Sequence, residues 1–293
     1  MQFSRALRYQ YLQISRRLDQ RFLFLGGGLV VLLLISAVFW PESSEIDLTP
    51  EEQLVEFGTL PNFADYSDVS QMKADFFAYL EPIVLFHNGQ ILRQREQLQQ
   101  LHMRLAAGER LEGADREFLL RLSAEYDYGL DSGWELEIEE NLASHPIDRA
   151  IRQLLLRVDE VPMDLTVVQA AKESGWGRSR FAVEANNLFG HWCYSTGCGL
   201  VPEQRTEGAA HEVRKFASVA DAIGAYMKNL NSYYTYETLR LIRAGLRSSG
   251  EPLSGAALAD GLLYYSQRRD AYIDEIKTMI RQYHDFKEEE AGS

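Results

Sequence analysis

Residues 22–40 read F-L-F-L-G-G-G-L-V-V-L-L-L-I-S-A-V-F-W, nineteen positions without a charged side chain. As a helix this stretch measures roughly 28 Å, close to the hydrocarbon thickness of a bilayer. It reads as one transmembrane signal anchor. A cleaved signal peptide fits less well, because such peptides carry an apolar run of about 7–15 residues behind a shorter basic region, and no small-x-small site precedes Trp40. Gly26-Gly27-Gly28 lacks the spacing of a phosphate loop and belongs to the span.

Charge gives the expected orientation. Arg5, Arg8, Arg16, Arg17 and Arg21 precede the span against Asp19 alone, so the arm of residues 1–21 carries a charge of +4. The positive-inside tendency holds that arm in the cytoplasm and places residues 41–293 outside. The expected localisation is the cell inner membrane, single-pass, with a periplasmic C-terminal part. The whole chain holds 30 Lys and Arg against 43 Asp and Glu, and from residue 42 onward the balance is 25 basic to 42 acidic. An acidic body of this kind has no footprint for phosphates, so nucleic acid is excluded as a partner. Two cysteines, and six histidines without an H-E-x-x-H pair, leave no four-Cys zinc site and no iron–sulfur cluster. Neither a metal nor a cofactor is expected.

Residues 41–68 are acidic, contain Pro41, Pro50 and Pro61, and suit a linker. Helical periodicity begins after Asp68. Phe76, Phe77, Leu80, Ile83 and Val84 recur at three- and four-residue spacing, and the helices over 69–126 are expected to brace the rest. Three further stripes read as core faces: Ile151, Leu154, Leu155 and Val158; Val219, Ile223, Tyr226 and Leu230; Tyr272, Ile276, Met279 and Tyr283. Residues 187–216 differ, being rich in Gly, aromatics and short β-type runs, as one or two hairpins would be. The fold class is therefore α+β, mostly α, with a small β-hairpin lobe in one domain over 69–286 and a solvated tail at 287–293.

The segment V-V-Q-A-A-K-E-S-G-W-G, residues 167–177, carries the candidate chemistry. A helix runs into Glu173 and Ser174 and is stopped by Gly175 and Gly177 around Trp176. A carboxylate in that last turn faces the negative end of the helix dipole, and an apolar neighbour further favours its protonated form. A protonated carboxyl at neutral pH is what general-acid cleavage of a glycosidic bond requires. Aromatic density rises around it, with Trp176 and Trp192 in a short window and Tyr194, Phe216, Tyr226, Tyr233, Tyr234 and Tyr236 following. Flat Trp and Tyr side chains suit the apolar faces of sugar rings, and Trp192, beside a turn, is the better platform candidate. Cys193 and Cys198 have four residues between them and are expected to form a local disulfide that fixes the turn. A nucleophilic cysteine with His191 as base lacks a third member.

The ordered set E-S-G-W-G, N-N-L-F-G at 186–190, S-V-x-x-A-I-x-x-Y ending at Tyr226 and N-L-N-x-x-x-x-Y ending at Tyr236 resembles the glucosaminidases of glycoside hydrolase family 73, in its Bax-type branch. The resemblance covers residues 69–286 and is strongest over 164–247. It implies a lysozyme-like fold, an endo-β-N-acetylglucosaminidase acting on the N-acetylglucosaminyl-β-1,4-N-acetylmuramic acid bond, and peptidoglycan glycan strands as the partner. By motif position Glu173 is then the general acid, Asn187 and Phe189 line the substrate, and Tyr236 faces the cleft. The second carboxylate of such enzymes lies on the β-hairpin, where Glu203 is nearest and Glu207 and Glu212 are alternatives; a water or the substrate's own acetamido group can take its place. Two other readings stand beside it: a muramidase or lytic transglycosylase on the same fold, and a non-catalytic cell-wall-binding scaffold.

Overall fold

A computed structural model describes residues 60–128 and 146–292, apart from 204, 206, 207 and 209. The chain divides after residue 51, and the first unit lies wholly outside the described residues. The basic arm and the expected span at 22–40 fall there.

Within the second unit, helix α1, Val69–Ala106, starts where the Asp68 side chain accepts the backbone N–H of Ser70 and Gln71. At 38 residues it is about 57 Å long. Helices α2, Gly113–Glu125, and α3, Pro146–Arg157, pack near its C-terminal half, and α4, Met163–Ser174, packs near its N-terminal half. Short α5, Arg180–Ala185, leads to three strands: β1, Trp192–Cys193; β2, Gly199–Leu200; β3, Glu212–Arg214. They form an antiparallel sheet in the order β1-β3-β2. Helices α6, Val219–Ser232, α7, Glu237–Ser249, α8, Gly255–Leu258, and α9, Asp270–Gly292, complete the fold, with 3-10 turns at Tyr234–Tyr236 and Ala259–Leu262. The architecture is mostly helical with one small sheet.

Among the described residues no helix is long and apolar enough to cross a membrane. Helix α1 has the length, yet it carries Lys73, Asp75, Glu81, Arg93, Arg95 and Glu96 along it. The inner-membrane, single-pass localisation expected from the sequence is thus not borne out among the described residues.

Two apolar clusters make the core. The larger joins α1, α4, α6, α8 and α9, and buries Phe76, Leu80, Val167, Tyr226 and Ile276. The smaller joins α1, α2 and α3 through Leu98, Leu119, Leu122, Ile151, Leu154 and Val158. Helix α4 is buried on nearly every side from Asp164 to Ala171, which makes it the central element. Residues 60–68, placed in the linker by composition, join the fold: Phe63 is buried in the larger cluster.

The connection from α3 into α4 is held by polar groups. The Asn88 side chain donates to the carbonyl of Val161 and accepts from its N–H, at 2.8 and 3.0 Å. Arg243 and Arg95 donate to the carbonyls from Leu155 to Glu160. This fixes where α4 begins, and with it where Glu173 ends up.

Candidate active site

Glu173 occupies the last turn of α4, and the residues after it explain how it is held. Gly175 caps the helix with φ 58°, and the chain stays left-handed through Trp176 at 61° and Gly177 at 72°. The Ser174 hydroxyl ties the turn together, donating to Ala170 O at 2.6 Å and accepting from Gly177 N–H at 2.7 Å. The Trp176 ring then packs edge-on against Phe76 and Phe77 of α1, with Lys73 over its face. Trp176 is thus half-buried between helices and anchors the turn.

The aromatic neighbour of the Glu173 carboxylate is instead Tyr272 of α9. Its hydroxyl donates to Glu173 Oε1 at 2.7 Å. Gln169, one turn before Glu173, donates from its amide to the Tyr272 oxygen at 2.8 Å and accepts from the hydroxyl of Tyr226. Around this line the rings stack: Tyr265 on Tyr272, and Phe189 on Tyr226 with centroids 4.0 Å apart. Tyr236 lies against Tyr265, and its phenol is pushed by burial up to about 12. Phe189 and Tyr236 are therefore brought into the same aromatic wall as Glu173.

Glu173 is exposed as a residue, while Tyr272, Lys172 and Glu275 lie about its carboxyl. Desolvation is the largest influence and raises it above its ordinary value. The Tyr272 hydrogen bond and the Lys172 charge oppose that, and Glu275 adds to it. Lys172 is itself drawn to Glu275 at 2.6 Å, which Arg268 also holds at 2.7 Å. The result is a carboxyl biased toward keeping its proton.

The β lobe carries the other expected residues. Asn187 is buried and donates to His191 O and Arg214 O while accepting from His191 N–H, so it clamps the approach to β1 onto β3. Trp192 is exposed, 57% open, and stacks on His211 at 4.3 Å. Cys193 and Cys198 are joined in a disulfide, with Cα atoms 6.2 Å apart. With both cysteines bonded, neither is a nucleophile, and burial pushes the neighbouring His191 imidazole down to about 4.

The hairpin glutamates sort by environment. Glu212 accepts the backbone N–H groups of Gly197 and Gly199 at 3.0 and 2.8 Å, which hold its carboxyl below its ordinary value. It organises the disulfide turn. Glu203 has a side chain 80% exposed and lies 3.8 Å from Arg180. Glu207 lies outside the described residues. The one group of possible metal ligands among the described residues is Cys193, Cys198 and Glu212, whose sulfurs are spent in the disulfide and whose carboxylate faces backbone donors.

The sequence of this region has counterparts in known proteins. Residues 150–285 match the family model Glucosaminidase, described as mannosyl-glycoprotein endo-beta-N-acetylglucosaminidase. Over 128 residues the chain is 36% identical to "Protein bax" of Escherichia coli (strain K12), which covers 44% of this chain and 45% of that protein. The chain thus carries a Bax-type glucosaminidase-like domain, matched by the family model over residues 150–285. The domain type is that of a glycoside hydrolase. The chain spans under half the length of this relative. No solved structure gives a significant match.

The glucosaminidase-like domain holds Glu173, Gln169, Tyr226, Tyr265 and Tyr272 together. Gln169, Tyr226, Tyr265 and Tyr272 were not among the site residues expected from sequence. For Gln169 a signal existed, since a residue four before Glu173 shares its helix face. For Tyr272 there was none: 99 positions from Glu173, it reads as one more residue of a core stripe.

Proposed function

We propose that this chain is a peptidoglycan hydrolase, an endo-β-N-acetylglucosaminidase that cleaves the N-acetylglucosaminyl-β-1,4-N-acetylmuramic acid bond. The observation that carries the reading is the Glu173 carboxyl in a glucosaminidase-like domain, raised by desolvation and hydrogen-bonded on one oxygen by Tyr272. In it Glu173 gives its proton to the bridging oxygen as the bond to the anomeric carbon breaks. Tyr236 and Phe189 belong to the aromatic wall of the site, Trp192 offers an outlying ring face for a sugar, and Asn187 keeps the turn that carries them in shape. Trp176 contributes by anchoring the end of α4. Of the two described hairpin glutamates, Glu203, exposed and 3.8 Å from Arg180, is the one left to activate water, since Glu212 is committed to the turn.

An acid must hold its proton to act. Activity therefore falls as the pH rises through the Glu173 pKa, and because that pKa is raised, the loss comes at a higher pH than an ordinary glutamate would give. The deciding experiment digests purified peptidoglycan with the full-length protein and with Glu173→Gln, and reads the fragments by mass spectrometry. The expected products have N-acetylglucosamine at the reducing end and muramic acid at the nonreducing end, and are absent with the variant.

One observation favours a second reading. Of the two described candidates for the second carboxylate, Glu203 is exposed and near Arg180, and Glu212 is engaged with backbone. A single acid suffices for a lytic transglycosylase, which would leave 1,6-anhydromuramic acid ends; a muramidase would leave muramic acid at the reducing end. Retention on the wall without any fragment would make the protein a scaffold.

A further inference from the structure

Four side chains from three helices form one directed line: Tyr226 of α6 donates to Gln169 Oε1, the Gln169 amide donates to the Tyr272 oxygen, and Tyr272 donates to Glu173 Oε1. Tyr226 and Gln169 are fully buried, and Tyr272 nearly so. Water therefore has little access to the first three members.

Direction matters because a phenol has a single proton. With its oxygen taken by the Gln169 N–H, Tyr272 is left to donate, and the geometry gives that proton to Glu173. An Oε1 that receives an O–H does not itself carry a proton along that line. When Glu173 is protonated, its proton then resides on Oε2, which accepts nothing from the described residues. With Gln169 Oε1 accepting from Tyr226, the Gln169 amide N–H is the end that faces Tyr272. If the Gln169 amide were reversed, its oxygen would draw the Tyr272 proton away and leave Oε1 bare.

We propose that Tyr272, oriented by Tyr226 and Gln169, is a positioning residue that keeps the acid proton of Glu173 on Oε2, the oxygen from which it is delivered. This rests on the reading of Glu173 as the general acid. The groups that face Glu173 are Lys172 on its own helix, Tyr272 and Glu275 on α9, Tyr226 on α6, and Tyr265 before α9. Lys172 and Glu275 pair with each other, and burial keeps the Tyr226, Tyr265 and Tyr272 phenols neutral at any working pH.

The test is a pH profile of kcat/KM for peptidoglycan cleavage by full-length wild type, Tyr272→Phe and Tyr226→Phe, with Glu173→Gln beside them. Tyr272→Phe removes a donor that favours the carboxylate, so the alkaline limb moves up by about one pH unit. At the optimum kcat falls roughly tenfold while KM holds, because the proton is no longer confined to one oxygen. Tyr226→Phe leaves Tyr272 in place but frees the Gln169 amide, and moves the limb the same way by less. It carries the test alone if Tyr272→Phe does not fold. Unmoved limbs in both variants, with Glu173→Gln inactive, overturn the positioning role and leave the acid assignment standing. A fully active Glu173→Gln overturns both.

Discussion

Trp176 holds a φ of 61°, a conformation that costs a non-glycine residue about 1–2 kcal/mol, and it does so between two glycines that share the left-handed geometry. The cost is met by the packing of its ring against Phe76 and Phe77 and by the Ser174 hydroxyl beneath the turn. The two glycines are not equivalent. A Cβ on Gly175 would meet nothing within 4 Å, whereas one on Gly177 would come within 2.7 Å of the Phe63 ring. Gly175→Ala should therefore cost only the backbone penalty, about 1 kcal/mol. Gly177→Ala adds overpacking and should cost roughly 2–4 kcal/mol, with a matching loss of activity as Glu173 shifts. Urea unfolding of the two variants checks this, and equal midpoints would show that Phe63 yields freely. The motif E-S-G-W-G thus combines one acid with four residues that hold it in place.

At the scale of elements, the end of α3 is where polar chemistry does what apolar packing does elsewhere. Arg243 is buried and donates to the carbonyls of Leu156, Arg157, Asp159 and Glu160 and to Asn231 Oδ1. These include the last carbonyls of a helix, which have no partner within it. Beside it the buried Asp159 carboxylate takes Arg247 at 2.8 Å, with Arg95 at 3.5 Å. Burial lowers the Arg243 guanidinium to about 10, which still leaves it charged at neutral pH. Arg243→Met would fill the volume but strip the donors, and should cost on the order of 3–5 kcal/mol. Thermal melts of full-length protein measure it; a loss below about 1 kcal/mol would mean that water satisfies those carbonyls instead. The β lobe follows a similar rule, with Asn187 and Glu212 taking the backbone bonds that three very short strands leave unmade.

For the whole molecule, the stretch that matches the glucosaminidase family is not the unit that folds. It begins at residue 150, after α1 and α2, yet α1 buries Phe76, Phe77, Leu80, Ile83 and Val84 in the same cluster as α4 and α9. Five such side chains contribute about 10 kcal/mol, comparable with the total stability of a domain. Residues 150–285 expressed alone should consequently lack fixed tertiary structure, visible as a collapsed amide proton spectrum and no cooperative melt. Residues 60–292 should give both. A well-dispersed spectrum from the shorter piece would show that α1 braces a core already formed.

How much of this was legible follows from the range of each interaction. Helix periods, the stop at Gly175, the short β runs and the two cysteines are local signals, and the sequence alone determined a mostly helical α+β chain with an acid at the end of a helix. The family resemblance likewise rests on short motifs. Tertiary structure alone decided what each motif residue faces. Trp176, expected beside a substrate, turns toward α1, and Asn187, expected to line the site, is spent on backbone, because both directions depend on what packs opposite. Tyr272 shows the limit most plainly. Its place in the sequence marks it as core, and its place beside Glu173 arises only when α9 lies on α4, a contact between residues 99 positions apart that no local pattern encodes.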